Sequence, residues 1–143
     1  MTDYSKWKTR DLTITHLYLD PLNPRLPEAD EGLSQPRLLA ELVEHEKIYE
    51  LAKDIADKGY YPTESLIVVE EDGKKYVAEG NRRLAALKLL YNPDAAPAKF
   101  QKRFRTLSDR IETIKKVSVV IAPSRFAAAP VIMSKHTSTQ VRG

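Results

Sequence analysis

Asp72-Gly73 stands between two strand-like runs in "LIVVEEDGKKYVAEG", and no other feature restricts the fold as much. A two-residue Asp-Gly loop suits the tight turn that needs positive φ at both central positions, so the flanking runs are expected to pair as a hairpin. Leu66 to Val69 is continuously apolar, as in a strand covered on both faces. Such a hairpin commits the chain to a sheet that is at least partly antiparallel, which excludes an all-helical or wholly parallel fold. Upstream, "LTITHLYL" (Leu12 to Leu19) alternates in the strand period. It halts at "DPLNPRLPE", where three prolines in seven residues forbid regular structure.

The helices announce themselves by spacing and punctuation. A start is expected at Ser34 to Pro36, and "RLLAELVEHEKIYELAKDIADKG" reads as two helical pieces broken near His45. Ile48, Leu51, Ala52 and Ile55 share one helix face, Gly59 is the expected stop, and Pro62 lies beyond it. Asn81 is the expected N-cap of a helix running to Leu90. A further helical region starts after Pro97, with a break around Thr106 to Ser108. Val117 to Ala122 reads as a buried strand, and a last helix, interrupted at Pro130, frays into a polar tail. The order β–α–β–β–α–α–β–α describes an α+β (mixed α/β) domain, a small mixed sheet with flanking helices. The expected boundaries are a polar arm over 1–11, one domain over 12–137 and a polar tail over 138–143.

A chain of 143 residues suits a single domain. The absence of cysteine excludes disulfides and thiolate metal sites, and suits a reducing cytoplasm. No apolar run approaches the roughly 20 residues that span a bilayer, so no membrane association is expected. The formal net charge of +3 hides a polarity: −9 over residues 28–72 and +11 over 73–143. Either the C-terminal half faces a polyanion or the two halves neutralise each other across the fold.

The candidate chemistry centres on "EGNRRLAA". A helix N-terminus carries partial positive charge and outward N–H groups, so basic residues are disfavoured in its first turn. Arg82 and Arg83 are nevertheless there, and a bound phosphate would turn them into an asset. Gly80 would allow close backbone approach and Asn81 would cap. The competing reading pairs both arginines with the acidic middle segment. Asn23 and Arg25 sit in the proline-stiffened loop, and Lys135, His136 and Thr137 offer donors for a phosphate or ribose, unless they belong to a tail. Lys99, Lys102, Arg103 and Arg105 surround Phe100 and Phe104 and could meet a nucleic-acid backbone, although the phenylalanines fit a core stripe better. Glu79 is the one carboxylate placed to bind Mg²⁺ or activate water, with an ion pair to Arg82 or Arg83 as its plainer role. His16, His45 and His136 lack metal-ligand spacing, and there is no Walker loop.

Taken together, "LDPLNPRL", the stretch from "IYELAKDIADKG" through "YVAEGNRRLAALKLL", and "VSVVIAPSRFAAAPVIMSKHTS" resemble the ParB/sulfiredoxin-type superfamily from about Leu17 to Thr137. The family's arginine box usually has glutamate where Asn81 stands, and its partition members end in a different motif from "KHTS". The resemblance implies a ParB/sulfiredoxin-like nucleotide-binding domain. Gly80, Asn81, Arg82 and Arg83 would hold phosphates, Arg25 would line the pocket, and Lys135, His136 and Thr137 would close it. It implies a nucleoside triphosphate, CTP or ATP, with Mg²⁺, and DNA-associated work in plasmid, phage or defence systems. The expected partners are nucleotide, DNA, and a second copy (a homodimer) or another protein. Two alternatives stay open. One is an enzyme on the same fold, a Mg-dependent nuclease or a nucleotide hydrolase or kinase. The other is a nucleotide-independent DNA-binding or interaction module using the basic 99–116 helix.

Overall fold

The computed structural model describes residues 4–22, 34–60 and 65–142, with 135–142 described by backbone alone. The hairpin forms as its turn requires. Strands β3 (Leu66–Glu71) and β4 (Lys74–Glu79) pair antiparallel, and Asp72 and Gly73 take φ of 53° and 76°. Around this pair the sheet is mixed. β1 (Lys8–Thr13) lies antiparallel to β5 (Lys116–Ile121), β5 parallel to β3, and β2 (Leu17–Leu19) parallel to β4. The strand order is β1-β5-β3-β4-β2.

Among the described residues five α-helices accompany the sheet: α1 (Gln35–His45), α2 (Ile48–Lys58), α3 (Asn81–Tyr91), α4 (Ala98–Ser108) and α5 (Arg125–Arg142). The first four bury one sheet face. Leu66 and Val68 join Leu38, Leu42, Ile48, Leu84, Leu87 and Phe104 in a single core cluster. Ile67 and Val69 point the other way and pack with Ala122 and Ala128, so α5 covers the second face with help from Trp7. The pleat therefore explains the unbroken apolar run Leu66 to Val69: alternate side chains feed two separate cores. α3 is the central helix, with Leu84 to Leu87, Leu89 and Leu90 all buried.

Local chemistry sets the helix ends. The Ser34 hydroxyl accepts the Arg37 N–H at 3.4 Å to open α1. The break near His45 falls at Lys47, which adopts the left-handed conformation with φ of 56°. Gly59 ends α2 at φ of 89°. At the sheet edge, the Gln35 amide mimics a neighbouring strand: its Oε1 accepts the Leu19 N–H and its Nε2 donates to the Leu19 carbonyl, both at 2.8 Å.

The structure departs from the sequence reading in four places. Lys8 to Asp11, assigned to the polar arm, belong to β1, because backbone pairing with β5 at an exposed edge needs no apolar side chains. The stretch Leu12 to Leu19 is not one strand, since a 3₁₀ turn at Ile14–His16 separates β1 from β2, which lie on opposite sheet edges. α4 runs unbroken to Ser108, and residues 109–115 are not helical. The Arg110 and Ile111 N–H groups bond three residues back, to Leu107 and Ser108, so the winding tightens and stops. α5 continues through Pro130 and on to Arg142, where a tail was expected. Among the described residues, no helix is long and apolar enough to cross a membrane.

Candidate functional site

β4 delivers the chain to α3 through Gly80, whose φ of 103° and ψ of 23° lie in the left-handed region. A Cβ at Gly80 would sit 2.4 Å from Leu66 Cδ2, and Leu66 is fully buried. Glycine is thus required twice over, for the turn and for the close approach. Gly80, not Asn81, is the N-cap; Asn81 is the first helical residue, because the sharp swing from strand to helix uses the positive φ at position 80. The Asn81 side chain is buried and committed at both ends. Its Nδ2 donates to the Val77 carbonyl at 2.7 Å, and its Oδ1 accepts the Asp20 N–H at 2.9 Å. Asn81 therefore fixes the end of β2 to the start of α3, and any part it has in a phosphate site comes through position and backbone.

Asp20 continues the connection. It is 3% exposed, and both of its oxygens are held by Arg125 of α5, Nη1 to Oδ2 at 2.7 Å and Nη2 to Oδ1 at 2.9 Å. Oδ1 also accepts the Leu22 N–H at 3.0 Å. Arg125 Nε donates to Glu71 Oε1 at 2.8 Å, and its guanidinium lies 5.9 Å from the Tyr76 ring centroid. The bonds to Asp20 hold the Arg125 guanidinium above its ordinary pKa, against the opposing effect of desolvation. Two clefts flank this clasp. One, of about 550 Å³, is bounded by Leu22, Asp72 and Tyr76, and the other, of about 240 Å³, by Ala78, Ile132 and Met133. Sequence reasoning missed both Asp20 and Arg125. The only signal was the position of Asp20 between a strand and a proline; nothing local marks a partner 105 residues away.

Of the paired arginines, Arg82 is half-buried and its Nε donates to the Glu46 carbonyl at 2.9 Å, at the end of α1. Arg83 and Glu79 are half-buried too, and each makes interactions within the fold. No acidic residue occupies the first turn of α3. Asn23 and Arg25 lie outside the described residues, and Lys135, His136 and Thr137 lie on α5 where only the backbone is described.

The basic helix is largely engaged with its own fold. Lys99 pairs with Glu44 at 2.9 Å, Arg105 bonds Asp94, and Arg103 stacks 5.8 Å from the Tyr49 and Phe100 ring centroids. Phe104 is fully buried and Phe100 packs against the core, so the phenylalanines are a core stripe. Lys99–Glu44, Arg110–Asp57 and Arg125–Glu71 each join the basic half to the acidic one, so mutual neutralisation accounts for part of the charge polarity. Among the described residues, no group of three or more His, Asp or Glu side chains is arranged to hold a metal ion.

No protein-family model matches the sequence, and no curated protein does. A solved structure does match the fold: the C-terminally truncated chromosome-partitioning protein ParB from Caulobacter crescentus, complexed with CTP-gamma-S. The TM-score is 0.50 at 15% identity, over 92% of this chain and 53% of that one. The chain thus spans about half the length of that protein. At this identity the likeness is one of fold, and the fold is a ParB-like mixed α+β domain.

Proposed function

We propose that the chain binds a nucleoside triphosphate, CTP or ATP, as its Mg²⁺ complex at the start of α3, and that it works in DNA-associated processes of plasmid, phage or defence type. The observation that carries this reading is a helix N-terminus entered through a sterically obligatory glycine, with two arginines and no acid in its first turn. That turn directs its N–H groups outward, and Gly80 brings no side chain to cap them. Oxygens of a polyphosphate supply the charge that the dipole and both guanidinium groups favour. Arg82 and Arg83 would hold phosphates, and Asn81 and Gly80 shape the turn that presents them. Asn23 and Arg25 would extend the site from the end of β2, and Lys135, His136 and Thr137 from α5. The ParB structure with the same fold is described as complexed with CTP-gamma-S, which supports the ligand class.

Mg²⁺ usually takes one or two carboxylates besides phosphate oxygens and water, so a magnesium ion brought by its nucleotide would need few ligands from the chain. Glu79, next to Gly80, would hold it, and the ion would neutralise phosphate charge there. DNA contact would use Lys99, Lys102, Arg103 and Arg105; the partners of Lys99 and Arg105 are exposed ion pairs that cost little to exchange for phosphate.

Calorimetric titration with CTP, ATP and GTP in the presence of Mg²⁺ tests the reading. Saturable binding of CTP or ATP is expected, and the Arg82→Ala/Arg83→Ala protein should show none while keeping its native circular dichroism. Flat titrations with all three nucleotides refute the proposal.

A further inference from the structure

At the end of α3 remote from Asn81, a cleft of about 500 Å³ opens between the 3₁₀ turn at Ile14–His16, the start of α1 and the turn at Pro93–Ala95. Ile14, Leu19, Pro36 and Leu39 give it apolar walls, and Tyr91 stands beside them, 39% exposed. Lys88 also lines the cleft, half-buried, and its Nζ donates to the Ile14 carbonyl at 3.3 Å. Among the described residues no carboxylate pairs with it. Asp94, the other charged group on the wall, is bonded to Arg105, and both ends of the Gln35 amide are spent on Leu19. The Ile14 carbonyl and the negative end of the α3 dipole offset the cation only in part, and burial pushes the Lys88 amine below its ordinary pKa.

We infer that this cleft is a second ligand site, for a small amphipathic carboxylic acid whose carboxylate pairs with Lys88 and whose apolar body lies on Ile14, Leu19, Pro36 and Leu39. The volume falls within the roughly 300–1,000 Å³ of small-molecule sites, whose walls are mostly apolar with a few orienting polar groups. An ammonium in apolar surroundings makes a stronger ion pair than one in water. A single lysine is a point charge without the fork that reads phosphate, and the C-terminal carbonyls of α3 oppose a doubly charged group more than a singly charged one. Both arguments rank a monocarboxylate above a phosphate. The site lies apart from the start of α3, so it stands or falls independently of the nucleotide reading.

Titration of ¹⁵N-labelled protein with benzoate and hexanoate, against benzyl alcohol and hexanol, tests it. Saturable amide shifts are expected at Thr15, Leu39, Tyr91 and Ala95, with the acids binding about tenfold tighter than the matched alcohols. Lys88→Met, with an otherwise native spectrum, should abolish that preference and leave the alcohols' binding unchanged. Equal affinities for acid and alcohol, shifts elsewhere or none, or a preference that survives Lys88→Met would each overturn the inference. The wild-type comparison alone decides the matter if the variant does not fold.

Discussion

Asp20 is buried where an uncompensated carboxylate would be costly, and the two-pronged Arg125 guanidinium is what makes that burial tolerable. Arg125→Ala should therefore destabilise the protein by about 2–3 kcal/mol in urea unfolding, short of a wholly buried pair because the Arg125 side chain is 26% exposed. Arg125→Lys should recover only part of the loss, since a single ammonium cannot hold both Asp20 oxygens and Glu71 together. A different, exposed carboxylate contributes to the acid limb of stability. The Asp57 pKa is lowered from its ordinary 3.8, first by its bond to Lys53 and then by its bond to Arg110. A folded pKa below the unfolded one means that the unfolded chain takes up the proton more readily. The contribution is thus present above pH 3.8 and disappears as pH falls through the folded value. Melting temperatures should separate wild type from Asp57→Asn at neutral pH and converge in strong acid.

Between elements, what could be read from the sequence was whatever depends on near neighbours. The apolar spacing of Ile48, Ala52 and Ile55, the stop at Gly59 and the turn at Asp72-Gly73 all follow from local chemistry, and all appear as expected. The arrangement at the start of α3 was half legible. The glycine and the arginines gave it away, but the roles of Asn81 and Arg82 depend on Asp20 and Glu46, which only the fold brings near. β1 was illegible for the opposite reason. Its early residues are exposed, so no burial pattern is written into Lys8 to Asp11. The hinge between α1 and α2 makes a sharper case. The break near His45 could be read, yet its left-handed residue is Lys47, a side chain that strains this conformation. Lys47→Gly should relieve about 1 kcal/mol of strain and give back part of it as unfolded-state entropy. A net gain of a few tenths of a kcal/mol is expected, seen as a higher urea midpoint with an unchanged slope.

Across the whole molecule the two sheet faces are unequally covered. Four helices share the core on one face, and α5 with Trp7 closes a much smaller cluster around Ile67 and Val69 on the other. Local opening is easiest where few apolar contacts must separate, so α5 should come away before the four-helix side loosens. Pro130 adds to this, because it has no N–H to donate to the Phe126 carbonyl one turn back. The Asp20–Arg125–Glu71 clasp lies at the N-terminal end of α5 and ties it to β2 and β3, and so acts as the fastening of this layer. Hydrogen exchange can read the order of release directly. Backbone amides of residues 126–129 and 131–134 should exchange faster than those of 84–90 in α3. Arg125→Ala should speed the first set while changing the second only as far as global stability falls. Equal protection of both helices, or equal acceleration of both by the substitution, would show that the two faces open as one unit.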